Sequence, residues 1–81
     1  MWFVYVIYNA ENGKIYIGES GNIAERIVAH NQKRGNHFTA KFSGDWKLIY
    51  QEEAVNRKAA LVREKQLKSY RGRESLKKYI P

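Results

Sequence analysis

The stretch WFVYVIYNAENGKIYIG, residues 2–18, decides the fold of this protein. Its first seven residues are all aromatic or β-branched, which predicts a strand buried on both faces and therefore central in its sheet. Asn12-Gly13 is the strongest short signal for a two-residue hairpin turn, and residues 14–18 follow as a second, antiparallel strand. Because side chains alternate along strands, this turn puts Tyr5 and Tyr16 on one face of the hairpin.

A helix and a polar loop are predicted after the hairpin. Asn22 followed by Glu25 has the form of a capping box, so a first helix is expected to run from there to about Lys33. Gly35 is expected to close this helix, and residues 35–44 to form the loop.

The remainder of the chain is predicted to contain a strand and two helices. Residues 46–51 have strand character, Asn56 begins a second helix, and a break near Gly72 precedes a short third helix that ends near Ile80. The expected fold class is therefore α/β (α+β), with a three-stranded antiparallel sheet flanked by helices. The element order is strand-strand-helix-strand-helix-helix.

Composition limits the class of protein. The 81 residues are enough for one modest core, so a single domain over residues 1–81 is expected. The absence of cysteine excludes disulfides and thiolate metal sites and is in keeping with a cytoplasmic protein. The apolar start is too short for a secretion signal, and no apolar run approaches the ~20 residues of a membrane span.

The net charge of +7 is concentrated in the last third of the chain. Residues 1–24 carry −1, residues 25–53 carry +1, and residues 54–81 carry +7. Clustered Lys and Arg are typical of proteins that bind nucleic acid, although a solvated surface explains them equally well. The candidate phosphate contacts are Lys68, Arg71, Arg73, Lys77 and Lys78.

Glu64 is the polar residue least in keeping with its predicted position. At 100° per residue it falls in the sector of Ala60, Leu61 and Leu67, the apolar stripe of the second helix. A carboxylate there requires a cation, a hydrogen-bonded partner or a metal ion. The alternative is a carboxylate at the edge of the stripe, paired with the neighbouring Arg63 or with Lys68 one turn later.

Two further groups of residues could carry chemistry. Arg26 and His30 are four residues apart on the first helix, so they share a face on which an Arg fork could bind phosphate and a His could transfer protons. Tyr5 and Tyr16 could act on a water nucleophile if nearby cations lower a phenol pKa. The alternatives are a boundary Arg with a capping His, and tyrosines that pack or stack on bases.

These motifs together resemble the GIY-YIG domain, in its small stand-alone bacterial form. Residues 16–18 (YIG) follow a strand with FVY at residues 3–5 and precede the helix of Arg26 and His30, and ALVREKQLK at residues 60–68 completes the pattern. The resemblance spans residues 2–80. It implies phosphodiester hydrolysis assisted by one divalent ion, Mg²⁺ or Mn²⁺.

Site roles also follow from the resemblance. Glu64 would ligate the metal, Arg26 would hold the scissile phosphate, and Tyr5 and Tyr16 would orient or deprotonate the attacking water with help from His30. The sequence departs from the family pattern in two places. Phe3 replaces the first-motif glycine, and a carboxylate, Glu19, follows the second motif, where it is expected to repel phosphate.

The leading functional hypothesis is a DNA endonuclease of low sequence specificity that serves DNA repair or processing. DNA is expected as the partner more than RNA, no membrane is expected, and a protein partner is expected to supply specificity. The first alternative is a nucleic-acid-binding module of the same fold with negligible catalysis. The second is a protein-interaction domain whose basic third meets an acidic partner.

Overall fold

The computed structural model describes residues 1–34 and 37–81 and contains a three-stranded antiparallel sheet. Strand β1 (Trp2–Asn9) lies in the centre, between β2 (Lys14–Ser20) and β3 (Trp46–Ala54). The predicted fold class and the central position of the first strand are confirmed. Both flanking strands are longer than predicted.

Helices cover both faces of this sheet. They are α1 (Ile23–Asn31), α2 (His37–Ala40), α3 (Arg57–Lys68) and α4 (Tyr70–Leu76), followed by a 3₁₀ turn at Lys77–Tyr79. Within the described part of the chain, none of the helices is both long enough and apolar enough to span a membrane.

The hairpin between β1 and β2 has a four-residue connection, so the predicted two-residue turn is wrong. Asn9 pairs with Lys14, and the buried Asn9 side chain accepts hydrogen bonds from the backbone and side-chain nitrogens of Asn12. Asn9 Nδ2 also donates to the Ser43 carbonyl at 2.9 Å, which ties the connection to a distant loop. Gly13 has φ 64°, the left-handed conformation that such a connection needs. A shift of two residues preserves side-chain parity, so Tyr5 and Tyr16 still share a face, as the pairing of residues 7 and 16 shows.

The first helix begins as predicted and ends earlier. The Asn22 side chain accepts from the Glu25 backbone nitrogen at 3.1 Å, which confirms the cap. The helix ends at Asn31, two residues before the predicted end at Lys33. Gly35, the predicted stop, lies outside the described residues. The prediction of a loop without helix after it is wrong, because α2 forms there.

The last two helices are divided at a different residue from the one predicted. Asn56 caps α3 by accepting from the Ala59 backbone nitrogen at 2.8 Å. The break falls at Ser69, which caps α4 through the Gly72 backbone nitrogen. Gly72 lies inside α4, where a Cβ would come within 2.5 Å of the Leu67 backbone. This glycine therefore permits close helix packing and does not break the helix.

The two faces of the sheet have separate cores. The α3 face is defined here as the side packed by α3 and α4, with a buried cluster of Val4, Val6, Ile17, Ala60, Leu67 and Leu76. The α1 face is the side packed by α1, with Tyr5, Ile7 and Trp46 as its buried cluster. Strand β1 supplies both clusters by alternation.

Candidate active site

A buried hydrogen-bonded chain runs through the α1 face. The Tyr5 hydroxyl is 2.7 Å from His30 Nε2, and His30 Nδ1 is 2.8 Å from Thr39 Oγ1. All three residues are buried. The Thr39 carbonyl in turn accepts from the Trp46 indole nitrogen at 3.3 Å. The His30 ring is therefore held from both nitrogens, and it does not cap a helix turn, which removes one sequence-based alternative.

Burial makes both rings prefer their neutral forms. It lowers the pKa of His30 to about 4, with a further contribution from the Arg26 charge. Burial also raises the pKa of Tyr5 above its usual range, aided by Tyr16, while Arg26 opposes the rise as a hydrogen-bond donor and a cation. Arg26 by itself therefore does not lower the Tyr5 pKa below its ordinary value, because desolvation outweighs it. At neutral pH, Tyr5 and His30 are an uncharged pair.

Arg26 connects this pair to an open cavity. It is half-buried on α1, one turn before His30, so the two side chains share a face as predicted. The cavity has a volume of about 460 Å³, and its other polar lining residues are Ser20, Asn22, Glu25 and Arg34. The two guanidinium groups outnumber the single carboxylate and, with the hydroxyl and amide side chains, suit an oxyanion such as phosphate.

Tyr16 and Gly18 complete the α1 side of the site. The Tyr16 ring lies 5.0 Å from the His30 ring and 6.3 Å from the Tyr5 ring, centroid to centroid. A Cβ on Gly18 would come within 2.7 Å of the Tyr5 hydroxyl and 2.8 Å of Tyr16 Cε2. Only glycine lets both phenol rings occupy these positions beside β2.

Glu64 approaches from the other side of the sheet. It lies on α3, its side chain is 17% exposed, and its Oε2 pairs with Lys68 Nζ at 2.9 Å. Its charge nevertheless contributes to the raised pKa of Tyr5. Of the two partners considered from sequence, Lys68 is the one observed, since Arg63 pairs instead with Glu52. The structure thus brings Tyr5, Tyr16, Arg26 and His30 into one group, with Glu64 on α3 close enough for its charge to act on Tyr5.

The donor set for a metal is a single carboxylate. Among the described residues, no three His, Cys, Asp or Glu side chains gather as a metal cage. Mg²⁺ is commonly held by one or two carboxylates, with water and phosphate oxygens as the other ligands. Glu64 fits that pattern, provided that Lys68 releases it.

Glu19 does not face the phenol rings. It alternates with Gly18 on β2 and therefore points to the α3 face, together with Ile17. Its carboxylate accepts a hydrogen bond from the Trp2 indole nitrogen and lies 3.6 Å from the Arg57 Nε. The expected repulsion between this carboxylate and a phosphate at Arg26 is weakened by its direction and its paired charge.

The five candidate phosphate contacts lie in different places. Lys68 and Arg73 border a groove beside Tyr16. Lys77 pairs with Glu74 at 2.7 Å, Lys78 lies over the Tyr79 ring, and Arg71 is exposed on α4. The side chain of Lys78 borders a separate cavity that includes Tyr50 of β3, the strand at the opposite edge from β2.

Sequence reasoning missed Thr39 and Phe38. Thr39 holds His30, and Phe38 stacks on Tyr16 with ring centroids 6.1 Å apart. Both belong to α2, whose four residues are too few to show helical periodicity. An aromatic residue within a polar segment was the available signal for Phe38, whereas nothing in the sequence distinguished Thr39.

Comparisons with known proteins agree with this geometry. The family model described as "GIY-YIG catalytic domain" matches residues 1–79. A UPF0213 protein of Staphylococcus epidermidis is 32% identical over 75 residues, 93% of this chain and 89% of that protein. UPF0213 proteins of Staphylococcus saprophyticus and Staphylococcus aureus are each 31% identical over the same shares. No solved structure matches the chain. The chain belongs to the GIY-YIG family of nuclease-type domains.

Proposed function

We propose that this protein is a metal-dependent endonuclease that hydrolyses DNA phosphodiester bonds with low sequence specificity, in repair or processing of DNA in the cytoplasm. GIY-YIG membership implies nuclease-type activity on nucleic acid. The observation that carries the proposal is the buried Tyr5–His30 pair at 2.7 Å with Arg26 acting on the same hydroxyl. We propose that residues 1–81 act as one domain and that a protein partner supplies specificity.

Arg26 is proposed to bind the scissile phosphate. Arg26 lines the same cavity as Arg34, and its guanidinium also acts on the Tyr5 hydroxyl as a donor and a cation. Charged donors held in place before the reaction stabilise negative charge that develops on phosphate oxygens during attack. Arg26 thereby sets the phosphate beside the phenol group.

The Tyr5–His30 pair is proposed to move the proton of the attacking water. Water loses a proton to the Tyr5 oxygen, while the Tyr5 proton passes to His30 Nε2. The water oxygen forms the new P–O bond, the ester P–O bond breaks, and the leaving oxygen takes a proton from solvent water. His30 then releases its extra proton to solvent, which restores the neutral pair. Burial is the main cause of the lowered His30 pKa and the Arg26 charge is the second, so a phosphate at Arg26 would offset only the second cause and make His30 a somewhat better acceptor. Tyr16 is proposed to orient the water from the other side.

Glu64 is proposed to hold the divalent ion, Mg²⁺ or Mn²⁺. GIY-YIG nucleases typically use a divalent metal. When bound, such an ion supplies positive charge to phosphate oxygens and lowers the pKa of water. The Lys68 ammonium, which pairs with this carboxylate, would be displaced by the ion and would then pair with phosphate.

A second function, nucleic-acid binding with negligible catalysis, is favoured by one observation. The Lys68–Glu64 pair competes directly with a metal for the carboxylate that the family uses. A protein in which this pair persisted would bind DNA without cleaving it.

Plasmid nicking distinguishes the two functions. Purified protein is incubated with supercoiled, linear and branched DNA in Mg²⁺, Mn²⁺ or a chelator. We expect nicking with metal only, and a loss of about 100- to 1000-fold in Arg26→Gln. Arg34→Gln, which changes the same cavity without touching Tyr5, is the matched control and should lose far less. Metal-independent binding without nicking would support the binding function and contradict the nuclease.

A further inference from the structure

A groove follows the outer edge of β2, beside the candidate active site. Its volume is about 240 Å³. Because β2 is an outer strand of the sheet, the groove opens past the edge and is not covered by another strand. Its lining is Ile15, Tyr16, Ile17, Phe38, Lys68 and Arg73.

Phe38 gives this groove an exposed aromatic surface. Its side chain is 38% exposed, although it packs against Phe42 and Trp46 as well as Tyr16. The Phe38 and Tyr16 planes are inclined by only 28°, so the two rings form a short stack in which Phe38 is partly exposed to solvent. Lys41 Nζ lies over the Phe38 ring, 5.3 Å from its centroid. Because the lysine side chain is long and flexible, a base can replace the ammonium on the exposed ring while the ammonium moves to the backbone phosphates.

The polar part of the groove is cationic. Arg73 donates from its Nε to the Lys68 carbonyl at 3.0 Å, which holds its guanidinium at the groove with four further N–H donors. Lys68 is the second cation, paired with Glu64. The apolar and aromatic part of the lining is suited to an unstacked base, and the Arg and Lys side chains at its margin are suited to the phosphate backbone attached to that base.

We propose that this groove binds an unpaired nucleotide of a DNA strand, with its base stacked on Phe38 and adjacent phosphates on Arg73 and Lys41. The inference rests on the proposed action on DNA and narrows its substrate class. In a regular duplex both faces of each base are covered by neighbouring bases, so only an unpaired or displaced nucleotide can present a face to Phe38. Since Tyr16 belongs to both the groove and the candidate active site, the unpaired nucleotide lies next to the bond that is cleaved.

Binding of fluorescent DNA without metal tests this groove independently of catalysis. The probe is a short single strand with 2-aminopurine at one position, titrated with protein in chelator. Stacking on an aromatic ring quenches 2-aminopurine, so we expect quenching by the wild type. Phe38→Leu keeps apolar packing and removes the stacking face, and should weaken binding by between about 5-fold and 150-fold with loss of quenching. Phe38→Trp should retain both.

Tyr79→Leu is the matched control, since Tyr79 is also 38% exposed and has a lysine, Lys78, at 5.3 Å. It should bind as the wild type does, and thermal unfolding should show every variant folded. Absence of quenching by the wild type, or equal losses of affinity in Phe38→Leu and Tyr79→Leu, would contradict the proposal that this groove binds the nucleotide. Quenching without any nicking would support nucleotide binding in the groove and contradict the proposed nuclease activity. Nicking of DNA without quenching would support the nuclease activity and contradict nucleotide binding in the groove.

Discussion

The two faces of the sheet receive alternate residues of one strand and have opposite character. On the α3 face, Val4 and Val6 meet an apolar cluster in which hydrophobic contact is the main interaction. On the α1 face, Tyr5 is hydrogen-bonded to the buried His30, which is in turn hydrogen-bonded to the buried Thr39. Every buried side-chain nitrogen and oxygen in the described residues has a hydrogen-bond partner. Burying polar groups is costly unless they are satisfied, so the α1 face is arranged for chemistry at the expense of simple packing.

Gly18→Ala should reduce activity strongly by changing the α1 face alone. Gly18 belongs to β2, beside the phenol rings of that face. The added Cβ would lie 2.7 Å from the Tyr5 hydroxyl, so both phenols must shift. A displacement of about 1 Å in catalytic groups costs roughly 100-fold in rate, and we expect at least that loss in plasmid nicking. Unfolding by urea should show a destabilisation of about 1–3 kcal/mol from the added volume.

Gly21→Ala is the control for this substitution. Its Cβ would meet the edge of the Trp2 ring at 3.0 Å, which is a smaller conflict and lies away from the phenols. Similar nicking losses in both variants would mean that the position of the Tyr5 hydroxyl is not what limits activity.

Acid should destabilise the α1 face specifically through His30. Its pKa is about 4 in the folded protein, against 6.5 for an unperturbed histidine, so the unfolded chain binds more protons between these values. The contribution of neutral His30 to the free energy of unfolding is fully present above pH 6.5 and is lost as the pH falls toward 4. The loss amounts to about 3 kcal/mol by pH 4. The groups that face His30 are Tyr5, Tyr16, Thr39 and the Arg26 cation.

Urea unfolding of wild type and His30→Gln at several pH values measures this loss. The glutamine cannot titrate, so the stability difference between the two proteins should narrow as the pH is lowered from 7 to 4. Parallel curves would show that His30 titrates alike in the folded and unfolded chains. That result would contradict a desolvated, neutral ring.

The smallest effect concerns Lys77 and Lys78, which do not line the groove. If they bind backbone phosphates, replacing both with Gln should weaken binding to all duplex sequences alike, since such interactions carry no sequence information. The slope of the logarithm of the binding constant against the logarithm of the salt concentration should fall in magnitude by about one for each phosphate that is no longer neutralised. Arg73→Gln provides the comparison at the β2 edge. An unchanged slope in the double variant with a reduced slope in Arg73→Gln would confine the nucleic-acid surface to the β2 side.

Much of the fold was predictable because local chemistry and burial agree. The apolar run of β1 has the composition that a strand covered on both faces requires, and the caps at Asn22 and Asn56 use nearby backbone groups. The hairpin connection was predicted too short because its length depends on a bond from Asn9 to the distant Ser43. A sequence signal two residues wide cannot indicate such a long-range interaction.

The site was partly predictable for a similar reason. Parity placed Tyr5 with Tyr16, and the same argument applied to β2 would have turned Glu19 away from them. The balance of effects on the Tyr5 pKa was not predictable, because it depends on how deeply the ring is buried against His30. The role of Thr39 was not predictable either, because its hydrogen bond to His30 joins the four-residue helix α2 to α1.

The most direct test of the central claim is the metal-dependent nicking rate of Glu64→Gln compared with Glu74→Gln. Both residues are helical carboxylates paired with a lysine one turn later, Lys68 and Lys77, but of the two only Glu64 contributes to the raised pKa of Tyr5. If Glu64 holds the ion, its glutamine variant should nick more slowly by several orders of magnitude, because charge stabilisation and water activation are both lost. Its melting temperature and metal-free duplex affinity should stay close to those of the wild type, and Glu74→Gln should nick normally. Full metal-dependent nicking by Glu64→Gln would contradict the account.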